Sequence, residues 1–134
     1  MLDLCQSYPD GQYLPLIQIA ETHGISKIYL EQVFSLLKRA GLVISTKGTQ
    51  GGYRLARPAG EITVLQILEA TEHSLMESSE TTVQDSAPHI EKVLQERVYS
   101  PLNASIAHAL DSIALESLYD EAVRNRPEGY MFYI

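Results

Sequence analysis

Between Leu14 and Arg57 the hydrophobic period of the chain switches from that of a helix to that of a strand, and this constrains the fold more than any other feature. In LPLIQIAETHG, Leu16, Ile19 and Ala20 fall at i, i+3 and i+4, the apolar face of a helix expected over Pro15–His23. Pro15 suits a first helical position, where its missing N–H has no partner to lose. Gly24 is placed to stop the helix by taking the left-handed conformation. Ile25 is expected to enter the core, and Ser26 to cap the next helix by accepting a bond from an orphan N–H. That second helix is expected over Lys27–Ala40, with Leu30, Val33, Phe34 and Leu37 at i, i+3, i+4 and i+7 facing inward. Leu42–Thr46 is then β-rich and Tyr53–Ala56 alternates, with Lys47, Gly48, Thr49, Gln50, Gly51 and Gly52 between them.

Helix, glycine-containing tight turn, helix and hairpin is the order of a winged helix-turn-helix. The outward face of the second helix carries Ile28, Glu31, Gln32, Ser35 and Arg39. These types suit base edges: Gln pairs with adenine, Glu accepts from cytosine, and an apolar residue touches a thymine methyl. An ordinary solvated face has the same composition, and the helix alone does not choose between the two. The hairpin shifts the balance, because a glycine-rich tip lets backbone approach a phosphate and Lys47 can reach into a minor groove. No Gly-Lys-Ser/Thr opens a helix after it, so it is not a nucleotide-binding P-loop.

The run YLEQVFSLLKRAGLVISTKGTQGGYRLARPAGEITVLQILEATE closely resembles the bacterial Rrf-two family of winged-helix transcription regulators. The step Gly-Leu-Val into Ser-x-Lys-Gly-x-x-Gly-Gly-Tyr, followed by Ala-Arg-Pro, is highly specific for it. The likeness is strong from Leu2 to Glu72 and rests on pattern alone in the C-terminal helices. It implies double-stranded DNA as partner, with Ile28, Glu31 and Gln32 at base-reading positions and Lys47 where the wing of the family usually has arginine. Ser26, Lys38, Arg39 and Thr49 are then the phosphate contacts. Members of the family carry roughly a dozen further residues before this point, including a basic, aromatic start to the first helix, and this sequence begins after them.

A net charge of −7 is unusual for a DNA binder, but the charge is unevenly distributed. Residues 1–60 hold six basic and four acidic groups, net +2, whereas residues 61–134 hold four basic and thirteen acidic, net −9. Within residues 23–58 all six basic groups face Glu31 alone. Phosphates respond to charge within a Debye length of about 8 Å, so the local patch matters more than the total. A restricted, regulated footprint fits this distribution better than nonspecific coating of DNA.

The remaining segments carry weaker signals. Cys5 is the one cysteine and is expected to be a small buried hydrophobe. Thr63 is expected to cap a helix beginning at Val64. Residues 72–88 are polar and rich in Ser, Thr and acids, the composition of a mobile loop. In cluster-binding members of the family this loop supplies three cysteines. This chain has none there, so no cofactor is expected. His73 and His89 flank it as ordinary surface residues, and no metal site is expected. Ile90, Leu94, Val98, Leu102, Ile106 and Leu110 form an apolar stripe at i, i+4 spacing, longer than a small winged helix can cover. The resemblance implies that it pairs with its mate in a homodimer. Pro101 is expected to kink or break this helix near Tyr99, with Ser100 capping a fresh start. Ser112–Leu118 resembles the last short helix of the family, and the apolar end Tyr130–Ile134 is expected to fold back onto the body.

The expected architecture is mainly α with a small β-hairpin wing: a winged helix-turn-helix over residues 1–72, a polar loop over 73–88, and a long C-terminal dimerisation helix with a tail over 89–134. The expected function is that of a DNA-binding regulator, a homodimeric repressor on a palindromic operator. The alternative is a protein-interaction module that binds a metabolic enzyme or another partner through the acidic C-terminal half, with weak or no DNA binding. An enzyme is not expected, because the four histidines are scattered and no carboxylate–histidine spacing recurs. With no apolar run of membrane-spanning length and no signal-peptide pattern, no membrane contact and a cytoplasmic location are expected.

Overall fold

The computed structural model describes residues 1–72 and 87–127. The expectations for the 72–88 loop, for His73 and for the Tyr130–Ile134 tail fall largely or wholly outside these residues.

Helix α1, Leu2–Ser7, buries Leu4 and Cys5. Helix α2, Leu16–His23, buries the anticipated Leu16, Ile19 and Ala20. Gly24 closes α2 in the left-handed region at φ 62°, and its N–H donates to Ala20 O. Helix α3, Lys27–Arg39, is capped by Ser26, whose Oγ accepts from the Tyr29 N–H at 3.4 Å. Leu30, Phe34 and Leu37 are buried and Val33 is half-buried, as the period requires. Ile25 departs from expectation: it is 37% exposed. It stands at the lip of an apolar groove of about 530 Å³ that also exposes Leu2, Tyr29 and Leu118, and no described element covers it.

The wing is an antiparallel pair, β1 (Val43–Thr46) and β2 (Gly52–Leu55), in the register Val43–Leu55, Ile44–Arg54, Ser45–Tyr53 and Thr46–Gly52. Leu14 adds a bridge on the far side of β2. Its N–H donates to Tyr53 O at 2.8 Å, and Tyr53 N–H returns a bond to Leu14 O at 2.9 Å. Gly52 lies at φ 152°, and a Cβ there would overlap the Leu14 carbonyl, so this crossing admits only glycine. Tyr53 packs on Phe34 of α3, ring centroids 4.7 Å apart.

Helix α4, Val64–Thr71, opens with a complete capping box. Gln66 N–H donates to Thr63 Oγ1 at 3.2 Å, and Thr63 N–H donates to Gln66 Oε1 at 3.0 Å. The same Gln66 oxygen accepts from Arg57 Nη2 at 2.9 Å, tying the exit of the wing to α4.

The C-terminal arm comprises α5 (Pro88–Leu94), a π-helical turn (Gln95–Tyr99) and α6 (Ser100–Asp111). Of the kink or break expected near Tyr99, the break is absent, since Tyr99 and Ser100 both keep right-handed helical dihedrals. The turn before the proline is widened instead, with Ser100 N–H bonding Gln95 O, five residues back. That register absorbs the missing N–H and the bulk of the ring without ending the helix. Ser100 does not cap a new helix; its Oγ accepts from Gln95 Nε2 at 3.3 Å. Helix α7, Leu115–Arg124, starts three residues later than the family pattern suggested and packs on α1. It follows a bridge between Thr63 and Ala114, in which Val64 N–H donates to Ile113 O and Leu115 N–H to Ile62 O. Ile62 and Leu115 are fully buried there beside Leu4, Leu42, Val43 and Leu55.

Thr63→Ala removes one acceptor of the capping box and should lower unfolding stability by about 1 kcal/mol in a denaturant titration. Gln66→Ala should cost more, because it also releases Arg57.

Candidate nucleic-acid interface

Helix α3 turns Ile28, Glu31, Gln32, Ser35 and Arg39 to solvent, and Ile28 is 70% exposed. Burying three of its apolar side chains against the core leaves this opposite strip with no side-chain hydrogen bond or ion pair among the described residues beyond a loose pair, Lys27 Nζ to Glu31 Oε1 at 3.7 Å. At this exposure Ile28 buries little apolar surface within the chain.

The strip has two edges. Along the wing side, Lys27 and Lys38 of α3 and Lys47 of the wing line one groove of about 420 Å³ with the backbone of Gly51 and Gly52 and the start of α2. Lys38 Nζ donates to Ser45 Oγ at 2.7 Å, which holds the amine against the base of the wing. Along the other edge, Arg39 shares a groove of about 320 Å³ with Arg57, Gln66 and Glu69. Lys47 and Thr49 are exposed at the wing tip. Ser26 is exposed too, with its hydroxyl taken by the cap of α3.

Two of the six basic groups are internal fasteners. The Arg54 guanidinium stacks over the Tyr13 ring at 4.9 Å and donates to Gly11 O at 3.3 Å. Its buried Nε has no partner among the described residues. Arg57 donates to Glu61 O, to Gly41 O and to Gln66 Oε1. The charge offered outward by residues 23–58 is therefore four cations against Glu31, less than the linear sequence suggested. Lys27 is the one cation on the strip to which the sequence reading gave no role. Its signal was available: a lysine in the first turn of a helix, four residues before a glutamate.

The donor set does not fit a cysteine-ligated cluster. The 73–86 segment contains no cysteine. Cys5 lies in the core, and burial pushes its thiol up to about 11. That favours the neutral thiol over the thiolate a metal needs. Among the described residues no group of three or more His, Cys, Asp or Glu side chains converges as a metal site, and His89 and His108 are exposed. No helix among them is long and apolar enough to cross a membrane.

Comparison with known proteins agrees with this geometry. The model of the Rrf2 family, described as iron-dependent transcriptional regulators, matches residues 1–121. The HTH-type transcriptional regulator IscR of Xenorhabdus nematophila is 36% identical over 118 residues, covering 88% of this chain and 71% of the relative. The structure of T. potens IscR superposes with a TM-score of 0.69 at 34% identity, over 98% of this chain and 87% of that one. CymR, the global cysteine regulator of B. subtilis, superposes with a TM-score of 0.71 at 28% identity, over 90% and 87%.

Arg54 and Lys47 should separate fastening from binding. Arg54→Ala is expected to cost about 1–2 kcal/mol of stability through lost stacking and an unpaired carbonyl. Lys47→Ala should leave the thermal melt unchanged and weaken DNA binding at every sequence tested.

Proposed function

The chain belongs to the Rrf2 family and is a DNA-binding transcriptional regulator, and we propose that it acts as a homodimeric repressor on a palindromic operator. The observation that carries this reading is the solvent-facing strip of α3, polar and without a packing role, beside a lysine-lined wing. In the proposed complex α3 lies in the major groove. Gln32 bonds adenine, Glu31 accepts from a cytosine amino group, and Ile28 covers a thymine methyl. Lys47 enters the minor groove, where it holds its hydration more tightly and lacks the planar fork of an arginine. Lys38, Arg39, Thr49 and Ser26 contact the phosphates that flank these positions.

The homodimer is supported by the arm. Ile90, Val98, Leu102 and Ile106 are exposed, Leu94 and Leu110 are half-buried, and no residue from Pro88 to Asp111 is buried. A helical rod of roughly 35 Å with an open apolar stripe needs a covering surface, and a second copy supplies an identical one. Two reading heads related by that symmetry match two half-sites in a palindrome. Occupying an operator that overlaps a promoter excludes polymerase, which is the sense in which the chain represses.

Fluorescence anisotropy with the DNA upstream of its own gene, against scrambled DNA at two salt concentrations, tests the reading directly. Tight binding to the first DNA alone, with a steep salt slope, is the expected result. Gln32→Ala should then cost about 1–3 kcal/mol at one base position and leave the others unchanged. An unaltered sequence preference in that variant would refute the groove assignment. Leu102→Glu and Ile106→Glu together should convert the dimer to a monomer in sedimentation without loss of helix content.

A further inference from the structure

We propose that Lys27 determines specificity by acting through Glu31: it screens the carboxylate, and so relaxes the base requirement that Glu31 would otherwise impose. This rests on the reading of α3 as the recognition helix.

Helix stability does not account for Lys27. It is the first residue of α3, where its charge meets the positive end of the helix dipole. Lysine four residues before glutamate is the weaker order for a helical ion pair, and exposed pairs of this kind contribute little to folding. Nor does the helix start need the side chain, because Ser26 already caps it through the Tyr29 N–H.

Its surroundings do account for it. Glu31 is the one acidic residue between positions 24 and 60, and it sits on the strip that meets the DNA. A bare carboxylate carried between two rows of phosphates is repelled at every sequence. It is tolerated best where a cytosine amino group donates to it. Lys27 Nζ lies 3.7 Å from Glu31 Oε1, on the side of the helix that faces the wing groove with Lys38 and Lys47. There it offsets the charge of Glu31 and leaves Oε2 to accept from a base. With the pair neutral, a base that offers no donor costs less, and the recognised sequence is broader.

A duplex library with a randomised centre, selected by the unaltered chain, supplies the operator whatever its sequence. Anisotropy is then measured on that DNA and on single-base variants at the position where Glu31→Gln changes the preference. Lys27→Gln is expected to weaken binding overall and to sharpen discrimination at that one position by up to about fivefold, the upper range of an exposed ion pair. Lys27→Arg should restore the original breadth. In the Glu31→Gln background, Lys27→Gln should leave discrimination unchanged. Uniform weakening with the same discrimination would make Lys27 a phosphate contact only and overturn the proposal. So would sharpening that persists without Glu31, or no effect at all. If the unaltered chain enriches no sequence, the regulator reading itself fails, a result distinct from all of these.

Discussion

The pair of backbone hydrogen bonds between Leu14 and Tyr53 is the constraint on which the reading head depends. It joins the residue that leads into α2 to the second strand of the wing, segments nearly forty positions apart in sequence. Once it forms, the wing cannot swing away from the helix-turn-helix, and Tyr53 is brought onto Phe34. The lysines of α3 then lie alongside Lys47 of the wing in one groove. Gly52 makes the crossing possible, because any Cβ there would occupy the space of the Leu14 carbonyl. One residue without a side chain thus aligns the two elements that, in the proposed complex, enter adjacent grooves of a duplex.

What the sequence disclosed and what it concealed divide along a physical line. Local signals were legible. The left-handed stop at Gly24, the Ser26 and Thr63 caps and the inward faces of α2 and α3 all depend on residues within one or two turns of each other. Partnerships across the chain were not. Nothing near Arg54 in sequence announces that its guanidinium will stack on Tyr13 and bond Gly11, or that Arg57 will reach both Gly41 and Gln66. Both arginines counted as candidates for a basic surface and are internal ties. Ile25 looked like a core residue because it is an apolar residue in the turn between two core-packed helices, yet it stays 37% exposed at the edge of the apolar groove. Pro101 was legible as a disturbance, a kink or a break, but not which of the two; a single wide turn accommodates it within a continuous helix.

The same distinction bears on the acidic composition. A net charge of −7 describes the whole chain, whereas in the proposed complex a duplex meets a strip a few residues wide. On that strip Lys27, Lys38, Arg39 and Lys47 face one carboxylate, and the acidic excess belongs to residues 61–134. Weak cationic character on the reading face and acidity elsewhere both reduce adhesion to arbitrary DNA. Binding then depends more on matched base edges than on the polyanion, which is the balance a selective regulator needs.

The bridge at Thr63 and Ala114 has a consequence for how such chains diversify. It brings the start of α4 and the start of α7 to the same place, with Ile62 and Leu115 buried beneath it. The chain between these two points therefore starts and ends at one joint, with α4 still packed on α3 of the body. A segment anchored at both ends in this way can be lengthened, shortened or given new ligands while the reading head keeps its shape. The length of chain between the two helix starts is thereby uncoupled from the geometry of the core they rest on.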